Sequence, residues 1–324
     1  MVRPVVEGRW LRPAVTDDGT PVPAWGHAEG LRVALWPAPG PRGLVRVYAP
    51  YLGNPQDHVI NFIAVEPVVA GRRGFSELEV SGLDRTRGKR LWSADEASDP
   101  APREAQAPAR GRIERAGDVE TLTVFVFVEP FENGARPYLR LTFRSDRPEE
   151  VGLAAYAQPE SARMDACILT ATMGNYARLR RLHLKDRVAT AGALWPDFRG
   201  NGFAPHARFP LEQLFRMPDG SAIVAAAPDE PNPADADYAL FTPAWWKYRG
   251  AVATQYWRAP DPHSNLAAQV NGRTTYWGWH TAIPGGVAFE NFELVAPFVA
   301  GQTFHFGVTR RTPESLVSGP AGAR

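Results

Sequence analysis

Four glutamates stand out by type and spacing. Glu77 and Glu79 lie two positions apart in FSELEVSGLD, residues 75–84, and Glu290 and Glu293 lie three apart in AFENFELVAPF, residues 288–298. Read as a strand, the first segment turns Glu77 and Glu79 to one face, about 6.6 Å apart, and Leu78 and Val80 to the other. Paired carboxyls at such separations perform glycoside hydrolysis. One protonates the glycosidic oxygen, and the other acts as base or nucleophile. Asp84 stands just beyond and could orient one of them. The same pattern also suits the solvated outer face of an amphipathic strand. In the second segment, strict alternation places Glu290 with Phe292 and Leu294. A carboxyl on an apolar face is costly unless it is paired or faces a ligand. Burial would raise its pKa toward that of a general acid, whereas an arginine partner would make it structural.

Aromatic residues form the second constellation. FTPAWWKYRGAVATQYWRAP, residues 241–260, carries Trp245, Trp246, Tyr248, Tyr256 and Trp257, interspersed with Lys247, Arg249, Gln255 and Arg258. In NGRTTYWGWHTAIPGG, residues 271–286, Asn271–Gly272 is a hairpin signal. In the strand that would follow, Tyr276, Gly278 and His280 share one face, while Trp277 and Trp279 share the other, with Arg273 close by. Aromatic planes beside arginine and amides grip sugars: the C–H face stacks and the hydroxyls take hydrogen bonds. The expected ligand surface is Trp245, Trp246, Tyr248, Tyr256, Trp257, Arg258, Arg273 and Trp277, against the plainer reading of core packing. Tyr276 or His280 could also serve a lyase. Four strand positions separate them by about 13 Å, so only one can reach a single bond. SELE (76–79) and KYRGAVATQY (247–256) resemble strand motifs of jelly-roll alginate lyases, although that family's Gln-x-His element is absent. The resemblance implies elimination from an acidic polysaccharide.

The elements that must position these residues read as strands. LRVALW, LVRVYA, HVINFIAVE, TLTVFVFVE, YLRLTF, VGLAAYA, AVATQYW and TFHFGVT are short, rich in β-branched and aromatic residues, and bounded by turn formers. Helical periodicity is confined to NYARLRRLHL, which could equally be an edge strand, and PLEQLFRM. The expectation is an all-β fold of β-sandwich or jelly-roll type. It divides near residue 158 into an N-terminal β-sandwich (1–158) and a C-terminal β-rich half (159–324), which could pack as one unit. VEPVVAG, VEPFENG and VAPFVAG share V-x-P-x-x-x-G, a strand that ends, a proline that stops pairing and a glycine that turns.

Exclusions narrow the partner. A net charge of +1 provides no field for nucleic acid or an anionic membrane. P-loop, dinucleotide, zinc-protease and serine-hydrolase motifs are all missing. A single cysteine, Cys167, permits neither an internal disulfide nor a cysteine metal cluster. No cofactor is required. Calcium has one poor candidate, the acidic stretch with Asp229, Glu230, Asp235 and Asp237. The first residues contain no leader-like apolar run, so the chain is read as cytosolic or as secreted with its leader removed. The leading expectation is a glycan-degrading enzyme on an oligo- or polysaccharide. The alternatives are a polysaccharide lyase and a non-catalytic carbohydrate-binding module.

Overall fold

The computed structural model describes residues 4–15, 19, 21–55, 57–102, 104, 107–172, 176–230, 238, 240–248, 250–276 and 281–317. Among these the chain forms 22 strands in two sheets of 11. The first sheet takes β1 (Val5–Glu7), β2 (Trp10–Arg12), β3 (Ala24–His27), β4 (Arg32–Ala34), β5 (Leu44–Tyr48) and β6 (Val59–Val69) in order. It continues with β13 (Ala166–Thr172), β21 (Ala288–Val295), β20 (Ala267–Arg273) and β16 (Ala207–Pro210), and β7 (Arg72–Arg73) pairs with β6. The second sheet begins with β15 (Val188–Thr190), β14 (Leu179–His183), β18 (Ala222–Pro228), β19 (Thr254–Ala259) and β22 (Thr303–Thr309). It ends with β12 (Glu150–Ala157), β11 (Pro137–Arg144), β10 (Val119–Val128) and β8 (Leu91–Ala94), while β17 (Phe215–Arg216) pairs with β18 and β9 (Arg112–Ala116) with β10. The helices are short: α1 (Ala191–Leu194) and α2 (Pro313–Val317). None is long and apolar enough to cross a membrane among the described residues. The fold is an all-β sandwich.

Alternation explains which face each strand buries. In β10, Leu122, Val124, Val126 and Val128 point into the space between the sheets, where they meet Val45, Val47, Ile63 and Val65 of β5 and β6. The intervening threonines and phenylalanines turn outward. Burying such side chains contributes roughly 1.5–3 kcal/mol each. One polar pair interrupts this core: Asn61 donates to Gln255 at 2.6 Å, joining β6 to β19 across the sandwich.

The expected boundary at residue 158 does not separate the sheets. β6 pairs with β13, and β12 pairs with β22, so both halves contribute to both layers. The V-x-P-x-x-x-G units all form strand–turn–strand connections, and Gly71, Gly134 and Gly301 take φ of 75°, 86° and 82°. That conformation suits a residue without a Cβ. Among the described residues neither helical candidate forms an α-helix, and the first takes its alternative as a strand. Residues 179–183 form β14, where a register shift between Leu179 and Arg181 lets Leu179 and Leu182, three positions apart, both reach the core, and 210–217 splits into the end of β16, a single 3-10 turn and β17.

Several expected ligand-facing aromatics are core instead. Trp257 is 0% exposed, packs on Phe306 with centroids 5.0 Å apart and donates its indole N–H to the Phe292 carbonyl. Tyr256, its neighbour on the other face, is buried under α2 with Ile223 and Leu316. A Cβ at Gly307 would sit 2.1 Å from the Tyr256 ring. Gly307→Ala is therefore expected to lower stability by about 1–3 kcal/mol, the usual effect of overpacking, measured as a shift in urea midpoint at unchanged slope.

Candidate active site

A β-bulge creates the site. β20 and β21 pair through Val270–Phe292 on one side and Gly272–Phe289 on the other, so Glu290 and Asn291 together oppose Asn271. The extra residue resets the alternation. Phe289, Phe292 and Leu294 keep to the core, while Glu290 and Asn291 line a cavity on the outer face of the first sheet. The alternation expected for Glu290 is thus corrected: the bulge removes it from the Phe292 face. The Asn271–Gly272 pair is likewise no hairpin turn but part of β20 at this bulge. Asn271 holds the irregularity in place by accepting the Asn291 N–H at 3.1 Å, and its amide nitrogen lies 3.3 Å from His206 Nε2.

Neighbouring strands supply the rest of the floor. Arg73 on β7 binds Glu66 of β6 and, at 2.8 Å, Glu293 of β21. Thr170 of β13 donates to the same Glu293 oxygen at 2.6 Å. Glu293 Oε1 has no hydrogen-bond partner among the described residues and lies 4.0 Å from His206 Nε2. Thr172 donates to Asn291 at 2.7 Å, which fixes that amide.

Glu77 arrives from outside the sheet. The segment 75–80 is not the expected strand. Glu79 N–H bonds the Phe75 carbonyl at 3.0 Å, and the Glu79 carboxylate accepts the Phe75 N–H at 3.2 Å, which closes a turn on itself. Glu79 also pairs with Lys89 at 3.2 Å and accepts the Glu132 N–H at 2.9 Å. Its role is to pin the turn, so the expected Glu77–Glu79 pair is not formed. Ser76 anchors the other side by bonding Gly43 and Val65. Glu77 is left facing the cavity, and one of its buried oxygens has no partner. Asp84 binds Arg42 at 2.8 Å rather than either glutamate.

The cavity measures about 450 Å³, within the range of about 300–1,000 Å³ usual for small ligands. Phe75, Leu78 and Phe203 give it apolar wall, and Asn271, Asn291, Thr172, His206, Arg87 and Arg273 give it hydrogen-bonding groups. Glu290 is 1% exposed, and neither carboxyl oxygen has a hydrogen-bond partner among the described residues. Burial pushes it up to about 8, against the pull of Arg273. Burial pushes Glu77 up to about 7, opposed by a backbone hydrogen bond, Arg73 and Arg87. Glu66 is also raised by burial, with Arg73 opposing. His206 is lowered by burial, so it is neutral at pH 7. One site therefore holds a carboxyl raised to about 8, a second raised to about 7, and a third, Glu66, raised by burial against the pull of Arg73.

The other candidates fall elsewhere. Trp246 and Tyr276 are buried over the far end of the same outer face, where Trp246 stacks on Phe62 at 4.8 Å and Tyr276 bonds Arg178 at 3.2 Å. With its hydroxyl so engaged and its ring enclosed, Tyr276 is not available to substrate. Trp245 is half-buried against Trp246. Tyr248 is core. Arg258 is buried and binds Glu150 at 2.6 Å, beneath a Tyr256 hydroxyl that donates to the same carboxylate at 3.0 Å. Among the described residues of the expected binding set, Arg273 alone lines the cavity. Trp277 and His280 lie outside the described residues, as do Asp235 and Asp237 of the acidic stretch. Asp229 and Glu230 are engaged by Arg180, each at 2.9 Å. Among the described residues no group of three His, Cys, Asp or Glu is disposed to hold a metal.

Sequence reasoning missed Arg73, His206, Asn271 and Asn291. The one available signal was Glu66 in NFIAVEP, near the place matching Glu293 in NFELVAP. Both carboxylates share Arg73.

No protein family matches the chain, and no curated protein matches it in sequence. Among solved structures, the α-galactosidase from Lactobacillus brevis is similar over 92% of this chain at 10% identity and a TM-score of 0.29; the chain spans 38% of that protein's length. HI1317 is similar over 94% of this chain and 97% of its own, at 10% identity and a TM-score of 0.25.

Proposed function

We propose that the protein is a carbohydrate-active enzyme that hydrolyses a glycosidic bond, with Glu290 as the proton donor and Glu77 as its ionised partner. The observation that carries this reading is the Glu290 carboxyl: enclosed, raised to about 8, and unpartnered at the floor of a cavity. A protein does not bury an unpaired carboxyl for stability, and a pKa near the working pH is what general acid catalysis needs. Glu290 gives its proton to the glycosidic oxygen, the bond from that oxygen to the anomeric carbon breaks, and the alcohol leaves. Ionised Glu77 supplies the second carboxylate, either taking a proton from the attacking water or bonding the anomeric carbon directly. The stereochemistry of the first product, read by NMR, separates these routes. Asn271, Asn291, His206 and the Glu293 oxygen that has no partner among the described residues are suited to sugar hydroxyls, and Phe75 to the ring's C–H face.

The test is a screen of glycosides and polysaccharides, reading reducing ends and ultraviolet absorbance together for the native protein and Glu290→Gln. Reducing ends that vanish in the variant support hydrolysis. New absorbance would mean a lyase, and retained binding without turnover a carbohydrate-binding module. The pH dependence follows from the two carboxyls. kcat/KM should rise as Glu77 ionises through about 7 and fall as Glu290 loses its proton through about 8. A narrow bell with its maximum between these values is expected. A flat profile from pH 5 to 9 would remove both residues from the reaction.

A further inference from the structure

The polarity of the cavity changes from floor to mouth, and this bears on what leaves. At the floor, Glu66, Glu290, Asn271 and Thr172 are buried. At the mouth, Leu78 is 40% exposed and Phe203 is 52% exposed, and both line the same cavity. The geometry points to an apolar leaving-group site at this mouth: the substrates are glycosides of aryl or alkyl alcohols, rather than polysaccharide chains. This rests on the hydrolytic reading of the same cavity.

Three observations support it. First, the exposed side chains are held in place. Leu78 caps a turn whose N–H bonds Phe75 at 3.2 Å, and that turn is anchored on one side by Ser76 to Gly43 and Val65, and on the other by Glu79 to Lys89. Its exposure is therefore a feature of a braced surface. An apolar side chain fixed in water gains only when something apolar covers it. Second, Phe203 lies with the Arg273 guanidinium 5.3 Å from its ring centroid. The pair presents an aromatic plane backed by a cation, a platform that favours another flat ring. Third, a sugar in the leaving position needs directed donors and acceptors on both sides. The exposed polar groups of the cavity wall are His206, which lies beside Asn271 and Glu293, and Arg87, which acts on Glu77. His206 is thus engaged at the floor and Arg87 acts on a carboxyl, and what remains of the mouth is Leu78 and Phe203, with the Arg273 guanidinium against the Phe203 ring.

The experiment compares phenyl and methyl 1-thioglycosides of glucose, galactose and mannose, in both anomers, by titration calorimetry. Thio-linked forms bind without being cleaved, so binding is read apart from chemistry. Native protein and Glu290→Gln should bind a phenyl thioglycoside at least about tenfold more tightly than its methyl counterpart, the discrimination that a small apolar contact supplies. The double variant Leu78→Ala/Phe203→Ala should lose that preference while its methyl thioglycoside affinity stays the same. Both positions are exposed, and an unchanged melting temperature verifies the fold. Equal affinities for phenyl and methyl forms, no binding by either form, or a preference that survives the double variant would overturn the inference. A phenyl preference in a protein that cleaves none of the corresponding O-linked phenyl glycosides would keep the apolar mouth and defeat the hydrolytic reading.

Discussion

Glu290→Gln is expected to abolish turnover and, above neutral pH, to make the protein more stable. The activity loss follows from removing the proton donor and should reach about 10²–10⁴-fold in kcat. The stability gain follows from linkage. Glu290 has a folded pKa of about 8 against 4.5 in the unfolded chain. Between those values the folded protein holds a proton that the unfolded chain has released, so stability falls as pH rises. The loss begins near 4.5 and is complete above 8. A difference of this size corresponds to about 5 kcal/mol at full extent. Glutamine has the same shape and does not titrate. It leaves an amide in the same unpartnered place, which shifts the variant by a constant. The diagnostic quantity is therefore the difference between native and variant, measured by urea unfolding from pH 4 to pH 9. The variant should gain on the native protein steadily through that range. A difference that does not change with pH would mean that Glu290 is not held protonated, and the proton-donor assignment would fail with it. Loss of activity together with gain of stability is a combination that a merely structural carboxyl cannot produce.

How far the sequence reached depended on the range of the interactions involved. Strand identity is local. TLTVFVFVE alternates so cleanly that β10 and its buried face follow from composition and period alone. The position of Glu290 is not local. A carboxyl among apolar residues was visible as an anomaly, but its escape to the outer face depends on two residues of β21 facing one of β20. Nothing in AFENFELV announces that count. Glu77 and Glu79 were read as equivalent because a strand would make them so. The turn that separates them is set by Glu79 capturing the Phe75 N–H and by Lys89 ten residues on. The aromatic stretch misled for a related reason. Arginine and tyrosine beside tryptophan resemble a ligand surface as long as their partners are unknown. Arg258 is satisfied by Glu150, 108 positions away, and Tyr256 shares that carboxylate. Trp257 then faces the core and Tyr256 lies under α2, each doing ordinary packing. Arg73 was invisible because it sits in an exposed-looking turn, GRRGF, and acquires its meaning only when β6 and β21 bring Glu66 and Glu293 to it.

Arg73→Met should be among the most damaging single substitutions in the chain, and its effect should depend on pH. One arginine pairs with two buried carboxyls, Glu66 and Glu293, and Glu293 also uses Thr170. Removing one partner from a buried ion pair costs about 3–5 kcal/mol because the remaining charge is stranded. Here two carboxyls lose the same partner, and Glu66, already raised by burial, can respond by taking up a proton. Arg73 opposes the burial that raises Glu66, so without it Glu66 takes up a proton at still higher pH. In the folded variant Glu66 would stay protonated over a range where the unfolded chain is ionised, and stability would fall as pH rises from the unfolded carboxyl range upward. The destabilisation should accordingly be small near pH 4, where carboxyls are protonated in both states, and largest above pH 7. Thermal melts at pH 4.5 and pH 8 would measure it. Arg73→Lys keeps the charge but loses the planar fork that reaches two carboxylates at once, so it should recover part of the loss. Adding Glu66→Gln to Arg73→Met removes one stranded charge, and the pH dependence should shrink accordingly. If Arg73→Met were instead equally stable at both pH values, Arg73 would not be what opposes the burial of Glu66. The arginine would then hold the cavity floor by geometry alone, and the proton transfer assigned to Glu77 and Glu290 would stand without it.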